Sequence, residues 1–170
     1  MMCGITGTPG TGKSSAADEL ARRGYPVVRL IDTVRPYALG RDEGRDTLII
    51  DEERWALEFT PVEGFVEGHL AHLLPCDRVV ILRCRPDRLL GRLRSRGYGE
   101  EKCRENAEAE ALDVILIETL EGIRSDRLLE IDATDLPPAG AADLIEGFFL
   151  GQVPPSHGGI DWTDYLMEGA

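Results

Sequence analysis

One stretch near the start of the chain limits its fold more than any other: Gly-Thr-Pro-Gly-Thr-Gly-Lys-Ser at residues 7–14. It matches the phosphate-binding pattern G-x-x-x-x-G-K-S/T. An apolar run at residues 1–5 precedes it, and a run that favours a helix follows at residues 15–21. Strand, glycine-rich loop and helix in this order are the context in which the pattern binds phosphate. An ordinary glycine turn is the weaker interpretation, because the pattern and its context agree.

The residue types of this loop suit an anion. Glycines allow backbone torsions that let successive N–H groups point inward, and the helix that follows adds the positive end of its dipole. We therefore predict that Gly10, Gly12, Lys13, Ser14 and Ser15 bind a nucleotide. Lys13 is expected to reach the β- and γ-phosphates, and the Ser14 hydroxyl to hold Mg²⁺. The predicted cofactors are ATP and Mg²⁺.

Length and charge narrow the class of protein. A chain of 170 residues is long enough for one domain with a real core. Its net charge of −12 opposes general binding to a nucleic-acid backbone. No apolar run approaches the length of a membrane-spanning helix, so no membrane partner is expected. With the first strand starting at once and no room for a signal peptide, we expect a cytoplasmic protein.

The four cysteines show no C-x-x-C spacing. Cys3 and Cys84 fall within predicted strands and are interpreted as small core residues of a protein in a reducing compartment. His69, His72 and Cys76 lie close in sequence but lack a fourth ligand at a sensible spacing, so we do not expect a metal site there.

Five short apolar runs are typical of strands, and they lie at residues 1–6, 25–31, 64–67, 78–84 and 128–132. Helical patterns alternate with them, which predicts an α/β doubly wound sheet. A short helix is expected from the Asp32-Thr33 cap to Ala38. Another helix is expected to begin at Pro86. A long helix is expected over about residues 100–124, with Leu112, Leu120 and three isoleucine or leucine neighbours on its apolar face. The last helix is expected at about 140–150.

Seven arginines and a single acid occupy residues 78–96, a local reversal in an acidic chain. Arg88, Arg92 and Arg96 repeat at i, i+4, and like charges at this spacing repel unless an anion lies among them. A triphosphate supplies that anion, and arginine matches the equatorial oxygens of a transferring phosphoryl group. We predict that Arg92 and Arg96 close over this group. Ion pairs with the glutamates at residues 100–108 are the alternative.

A carboxylate and a histidine follow the third predicted strand. Glu67 ends that strand beside the phosphate loop, where an acid that orders Mg²⁺ through water is expected. His69 is a candidate to orient a water or a phosphate, and a histidine with a purely structural role is the equal alternative. Asp77 is the competing acid, but it starts a strand at the edge of the sheet opposite to the ligand edge.

Several short sequences in this order resemble one known family. They are Gly-Thr-Pro-Gly-Thr-Gly-Lys-Ser-Ser at 7–15, Glu-Gly-His-Leu-Ala-His at 67–72, Arg-Gly-Tyr at 96–98, then Lys102, Glu105-Asn106, Ala109-Glu110, and Glu-Ile-Asp-Ala-Thr at 130–134. Together they resemble the small adenylate kinases of the isoenzyme-6 type.

This resemblance implies a nucleoside-monophosphate-kinase fold over residues 1–150, with a five-stranded parallel sheet in the order 2-3-1-4-5. Residues 30–53 would form the monophosphate-binding segment, with Arg35 at the AMP phosphate. Residues 95–105 would form a lid, with Arg96 as its nucleotide contact.

A tail at residues 151–170 lies beyond the usual end of the family as we know it. Trp162, Tyr165 and Leu166 are apolar enough that we expect this tail to dock on the domain or on a partner.

The resemblance also implies an activity and a partner. The family converts ATP and AMP to two ADP with broad acceptor specificity and hydrolyses ATP, and we expect a monomer. It is linked to maturation of the small ribosomal subunit through a small-subunit platform ribosomal protein. The alternatives are a ribosome-assembly ATPase with little kinase activity, a kinase for another small acceptor such as shikimate or a cytidylate, and a plain nucleotide-binding module.

Overall fold

The computed structural model describes residues 1–42 and 47–168. The strands are β1 (Met2–Thr6), β2 (Val27–Arg29), β3 (Ala38–Asp42), β4 (Thr47–Ile50), β5 (Gly64–Glu67), β6 (Arg78–Arg83) and β7 (Leu128–Asp132). The helices are α1 (Lys13–Arg22), α2 (Glu52–Glu58), α3 (Pro86–Ser95), α4 (Glu100–Ala111), α5 (Val114–Gly122), α6 (Pro138–Phe149) and α7 (Thr163–Glu168).

Five strands form one parallel sheet in the order β2-β5-β1-β6-β7. Counted along the chain, this is the predicted order 2-3-1-4-5, so the predicted α/β fold is confirmed. All five residues of β1 are buried, as expected for the central strand of a sheet that is covered on both faces. In the register, Ile5 lies opposite Glu67 of β5 and Val80 of β6, so the phosphate loop leaves the sheet between the ends of these two strands.

Helices cover both faces of the sheet. On one face, α1 and α6 pack together around Leu20, Phe65 and Phe148, which are fully buried. On the other face, α2 and α5 contribute Trp55 and Leu116 to a second core. A smaller apolar cluster joins α3 to α4. Two layers of helices thus hold the ends of the strands, and the loops that follow them, in fixed positions.

The long helix expected over residues 100–124 is wrong, because it consists of two helices. Between α4 and α5, Asp113 has a φ of 57°, in the left-handed region, and this ends the helical ladder. Its carboxylate accepts a hydrogen bond from Arg83 of β6, which stabilises the turn. As a result Leu112 and Leu120, which were expected on an apolar face, are 54% and 41% exposed.

Residues 30–58 also differ from expectation. The single helix expected to end at Ala38 is replaced by two 3-10 turns, Leu30–Asp32 and Arg35–Tyr37. The antiparallel pair β3–β4 and the helix α2 follow, and neither was predicted. The Asp51 side chain caps α2 by accepting from the Arg54 N–H at 3.1 Å. Residues 43–46, which lie between β3 and β4 in the sequence, are outside the described residues.

The segment after α6 docks on the domain, as expected. Ser156 lies beside the outer edge of β7, where its N–H donates to the Leu128 carbonyl at 3.1 Å and its carbonyl accepts from Glu130 N–H at 2.7 Å. The short helix α7 packs against α4. The exposed edge of the sheet is therefore partly covered by the chain itself.

All four cysteines are free and buried, and Cys3 and Cys84 pack in the core as predicted. Along residues 1–42 and 47–168, no helix has both the length and the apolar character needed to cross a membrane.

Candidate active site

The phosphate loop has the backbone that its glycines predict. Gly7, Gly10 and Gly12 have φ values of 137°, 94° and 105°. A Cβ at Gly7 would lie 2.3 Å from the Leu82 carbonyl oxygen, and one at Gly10 would lie 2.9 Å from a methyl group of Leu89. Neither contact is possible, so glycine is required at both positions for the loop to pass this close to β6 and α3.

Lys13 lies across the loop that it closes. Its side chain is buried, and Nζ donates to the carbonyl oxygens of Gly7 at 2.7 Å and Thr8 at 2.9 Å. Burial lowers the pKa of Lys13 to about 8, and the negative charges of Glu67 and Glu110 act in the opposite direction. The ammonium group is thus held in position at the loop, and an added negative charge would stabilise it.

Ser14 and Glu67 meet as the sequence predicted. The Ser14 hydroxyl at the start of α1 donates to Glu67 Oε1 at 3.2 Å, at the end of β5. Arg29 of β2 donates to the other carboxylate oxygen at 2.8 Å. A hydroxyl and a carboxylate beside a phosphate loop fit the preference of Mg²⁺ for oxygen ligands. Among the described residues, no cluster of three or more acidic, histidine or cysteine side chains is placed to hold a metal ion.

The two histidines near the loop differ. His72 is buried, with Nδ1 3.1 Å from the Thr6 hydroxyl and Nε2 3.1 Å from Glu118, so it joins β1 to α5. His69 exposes its side chain to solvent near Lys13. Desolvation by the surrounding protein, with the charges of Lys13 and His72, lowers the pKa of His69 to about 4. His69 is therefore neutral near pH 7, and its role stays a prediction, whereas His72 has the bonding of a structural histidine.

Most of the arginines of residues 78–96 have structural partners. Arg83 is buried in the sheet, where it pairs with Glu110 at 2.7 Å and with two further carboxylates. Arg88 pairs with Asp135 at 3.1 Å, and Arg94 pairs with Glu100. Of the three arginines expected around an anion, Arg88 thus has a protein carboxylate as its partner. The alternative of ion pairing with downstream glutamates is confirmed for Arg94.

Arg92 and Arg96 lie elsewhere, at a cavity of about 300 Å³ beside the phosphate loop. The cavity is lined by Gly10, Thr11, Gly12, Ser15, Leu82, Arg92, Ser95, Arg96, Ala133, Leu136, Pro138 and Ala141. Arg92 donates to the Gly10 carbonyl at 3.4 Å and to the Thr134 carbonyl at 2.6 Å, so it ties the loop to the segment after β7. Arg96 is exposed and, within the described part of the chain, its guanidinium has no hydrogen-bond or ion-pair partner.

The wall at residues 133–141 was missed by sequence reasoning. The available signal was its place after the last strand, since ligands of parallel sheets bind outside the carboxyl ends of the strands. Its apolar side chains, Ala133, Leu136 and Pro138, line the cavity together with the two arginines. The cavity therefore combines an apolar wall with a cationic rim at one end of the phosphate loop.

Arg35, predicted at the AMP phosphate, lies in the 3-10 turn before β3. It is exposed, and its side chain makes no hydrogen bond or ion pair with the described residues. The structure does not bring it into contact with Lys13 or Glu67, and its role stays a prediction. The predicted lid and the predicted monophosphate-binding segment are in contact, because Lys102 Nζ of α4 donates to the Thr47 hydroxyl of β4 at 3.0 Å.

Comparison with known proteins agrees with this geometry. A family model described as "AAA domain" matches residues 3–113, which include the phosphate loop. Among solved structures, a deoxyadenosine kinase from M. mycoides with bound dATP superposes with a TM-score of 0.57, covering 88% of this chain and all of that chain. The two sequences are 15% identical, so this likeness shows the fold alone.

Three relatives named "Putative adenylate kinase" match nearly the full length. The protein of Archaeoglobus fulgidus is 41% identical over 99% of this chain and 95% of its own. Those of Natronomonas pharaonis and Methanothermobacter thermautotrophicus are both 42% identical, over 98% of this chain and 100% and 99% of theirs. These alignments include the segment at 151–170, so the expectation that it lies beyond the family's end is wrong.

Proposed function

We propose that this chain, which belongs to the family of proteins named "Putative adenylate kinase", transfers the γ-phosphoryl group of ATP to AMP and forms two ADP. The chain is a nucleotide kinase built on a phosphate-loop α/β fold. The identity of the acceptor, AMP, is the finer part of the proposal. It is supported by the names of the relatives and by the resemblance of the sequence to small adenylate kinases.

The observation that supports the proposal most strongly is that Lys13, Ser14 and Glu67 all lie at the phosphate loop. Lys13 and Ser14 come from the start of α1, and Glu67 comes from the end of β5. This places a cation, a hydroxyl and a carboxylate around the mouth of an anion-binding loop, as phosphoryl transfer from a nucleoside triphosphate requires. A plain nucleotide-binding module has less need of a carboxylate at this position.

In the proposed reaction the protein aligns two phosphates and forms no covalent intermediate. The loop N–H groups and Lys13 hold the donor phosphates. A terminal oxygen of the AMP phosphate attacks the γ-phosphorus, and the bond from that phosphorus to the β–γ bridging oxygen breaks, so that ADP leaves. Arg92 and Arg96 face the loop from the end of α3 and stabilise charge on the equatorial oxygens. Arg35 holds the acceptor phosphate.

Ser14 and Glu67 would hold Mg²⁺, either directly or through water. The ion would neutralise phosphate charge during transfer. Arg29 fixes the orientation of the Glu67 carboxylate and keeps it at the end of β5. Neutral His69 beside Lys13 is suited to orient a water or a phosphate oxygen.

The cavity beside the loop is proposed to hold the base and ribose of ATP. Its apolar wall, with Leu136 and Pro138, gives a surface on which a purine can stack, and its rim is cationic. Contacts of this kind depend largely on shape, which agrees with the proposed broad specificity for nucleotides.

Two further parts of the proposal rest on the resemblance to the isoenzyme-6 type. They are hydrolysis of ATP, and a role in small-subunit maturation through a platform ribosomal protein. The protein would act in the cytoplasm.

An assay of ADP formation from ATP, with and without AMP, tests the reaction. The expected result is that ADP formation depends strongly on AMP, while free phosphate from hydrolysis of ATP is released at a slower rate. Release of phosphate at the same rate without AMP would instead favour an ATPase switch, and a panel of other acceptors at fixed ATP would expose a different kinase. The same assay with the candidate ribosomal protein present tests whether the partner changes the balance of the two activities.

A further inference from the structure

Glu110 of α4 is a buried carboxylate that the proposed reaction does not use. It is 2% exposed and stands behind the phosphate loop, outside the set of residues that line the cavity. It belongs to the Ala109-Glu110 pair of the resemblance, to which sequence reasoning gave no role. A buried charge is costly unless it is paired and hydrogen-bonded, so its partners indicate its purpose.

The partners of Glu110 come from two directions. Oε2 accepts a hydrogen bond from the Thr8 hydroxyl, in the phosphate loop. Oε1 accepts from Arg83 Nε at 2.7 Å and from the Cys84 N–H at 3.0 Å, both at the end of β6. Glu110 therefore fixes the second residue of the loop to the sheet, from a helix 102 residues further along the chain.

Thr8 is the residue through which this support reaches the nucleotide site. Its carbonyl oxygen accepts from Lys13 Nζ at 2.9 Å, and also from the Thr11 hydroxyl at 3.0 Å. A shift of Thr8 would move the acceptor that holds the lysine. The carboxylate of Glu110 also favours the charged form of Lys13 by its negative potential.

Arg83 makes the carboxylate rigid. Besides Glu110 it binds Glu130 of β7, and the Glu130 carboxylate also accepts from the N–H of Gly158 in the C-terminal segment at 2.5 Å. The Arg83 and Glu130 side chains are each 2% exposed. A fully bonded network of this type holds its members in one arrangement.

We infer that Glu110 is a positioning residue, which sets the phosphate loop for ATP through the Thr8 hydroxyl. This inference rests on the proposed function only in that the loop binds ATP. It assigns to the helix after the lid segment a role in donor binding that does not involve contact with the nucleotide.

The test is equilibrium binding of ATP to the full-length protein by calorimetry, for Glu110→Gln, Thr8→Val and the double variant. Each single change should weaken ATP binding by about tenfold, the size expected for loss of one charge-assisted hydrogen bond. Because both changes break the same contact, the double variant should bind ATP only slightly more weakly than the single variant that has the lower affinity. Full additivity, or wild-type affinity of Glu110→Gln, would overturn the inference. Glu108→Gln, an exposed change on the same helix, is the matched control and should bind ATP like the wild type.

A second readout separates positioning from mere stability. Glu110→Gln and Thr8→Val should each raise the KM for ATP by about tenfold and leave the KM for AMP unchanged, because only the phosphate loop depends on this contact. A KM for ATP equal to that of the wild type, or an equal rise in the KM for AMP, would contradict the inference. Thermal unfolding of each variant identifies any that is not folded, and Thr8→Val, which alters no charge, keeps the hydrogen bond testable in that case.

The two proposals fail in different ways. If the wild type makes ADP and binds ATP but the variants bind it equally well, the positioning role is lost and the kinase proposal stands. If the wild type does not bind ATP, both are overturned.

Discussion

The phosphate loop differs from residues 30–53, the monophosphate-binding segment that is the proposed acceptor segment, in how its polar side chains are held. At the loop, Lys13 and Thr8 are buried and each has several hydrogen-bond partners from the protein. In the acceptor segment Arg35 is exposed and unpaired among the described residues, and Ile31 and Leu39 are 68% and 70% exposed. The fold therefore holds the proposed donor site in place, whereas the proposed acceptor contact, Arg35, has no such support among the described residues.

The anchoring of the two regions explains this difference. The loop lies between β1 and α1, at the centre of the sheet, and packs against β6 and α3. The proposed acceptor segment enters the second core through Leu30 and Val34, and Trp55 of α2 donates to its Thr33 hydroxyl at 3.0 Å, whereas its pair β3–β4 is largely exposed. Regions with few buried contacts move at low cost, as closure over a substrate requires.

Removal of the loop cation should have the largest effect. Lys13→Ala is expected to lower the turnover number by about a thousandfold or more, because it removes charge stabilisation at the transferring phosphate. ADP formation at saturating ATP and AMP is the measurement. Thermal unfolding should show a folded protein, since the buried ammonium is itself costly. ADP formation equal to that of the wild type would remove Lys13 from the mechanism.

On the acceptor side, Arg35→Ala is expected to raise the KM for AMP by about ten- to a hundredfold, the effect of losing an arginine–phosphate contact. The Kd for ATP should be unchanged, because Arg35 lies outside the loop. Arg124→Ala, a change of an exposed arginine that pairs with Asp126, serves as control. An unaltered KM for AMP would mean that another group holds the acceptor.

The lowered pKa of Lys13 gives a pH dependence on the donor side. The lysine is a cation below a pKa of about 8 and neutral above it. kcat/KM for ATP, which reports the free enzyme, should therefore fall by about tenfold per pH unit above that pKa. Bound phosphate raises the pKa, so kcat should persist to higher pH. Circular dichroism at pH 9 checks that the fold is intact, and a flat profile of kcat/KM to pH 9.5 would contradict the assignment.

A change at Trp55, which packs beside the proposed acceptor segment, should have the smallest effect on activity. Trp55→Phe removes the hydrogen bond to Thr33 and leaves a small cavity, so the free energy of unfolding should fall by about 1–3 kcal/mol. The KM for AMP should rise a few-fold while the Kd for ATP stays constant. Denaturant unfolding and paired titrations measure both, and an equal loss of ATP affinity would show that the two regions are coupled.

The sequence predicted the central part of this structure well. The loop at 7–14, its flanking strand and helix, and the five strands of the sheet all follow from local apolar patterns and glycine positions. The meeting of Ser14 with Glu67 was predicted too, because the carboxyl ends of neighbouring parallel strands share one edge of a sheet. The hairpin β3–β4 was missed, since both strands are mostly exposed, β3 has no continuous apolar run, and the run of β4 is only the three residues 48–50.

What the sequence by itself determined was thus the phosphate loop and the framework that presents it, since both depend on residues close together in the chain. Only the tertiary structure decided what the other arginines of residues 78–96 do. Arg92 faces the cavity as predicted, but Arg83 meets Glu110 in the core, 27 residues away. The partner of a buried charge is set by packing between distant segments, and no local pattern carries that information.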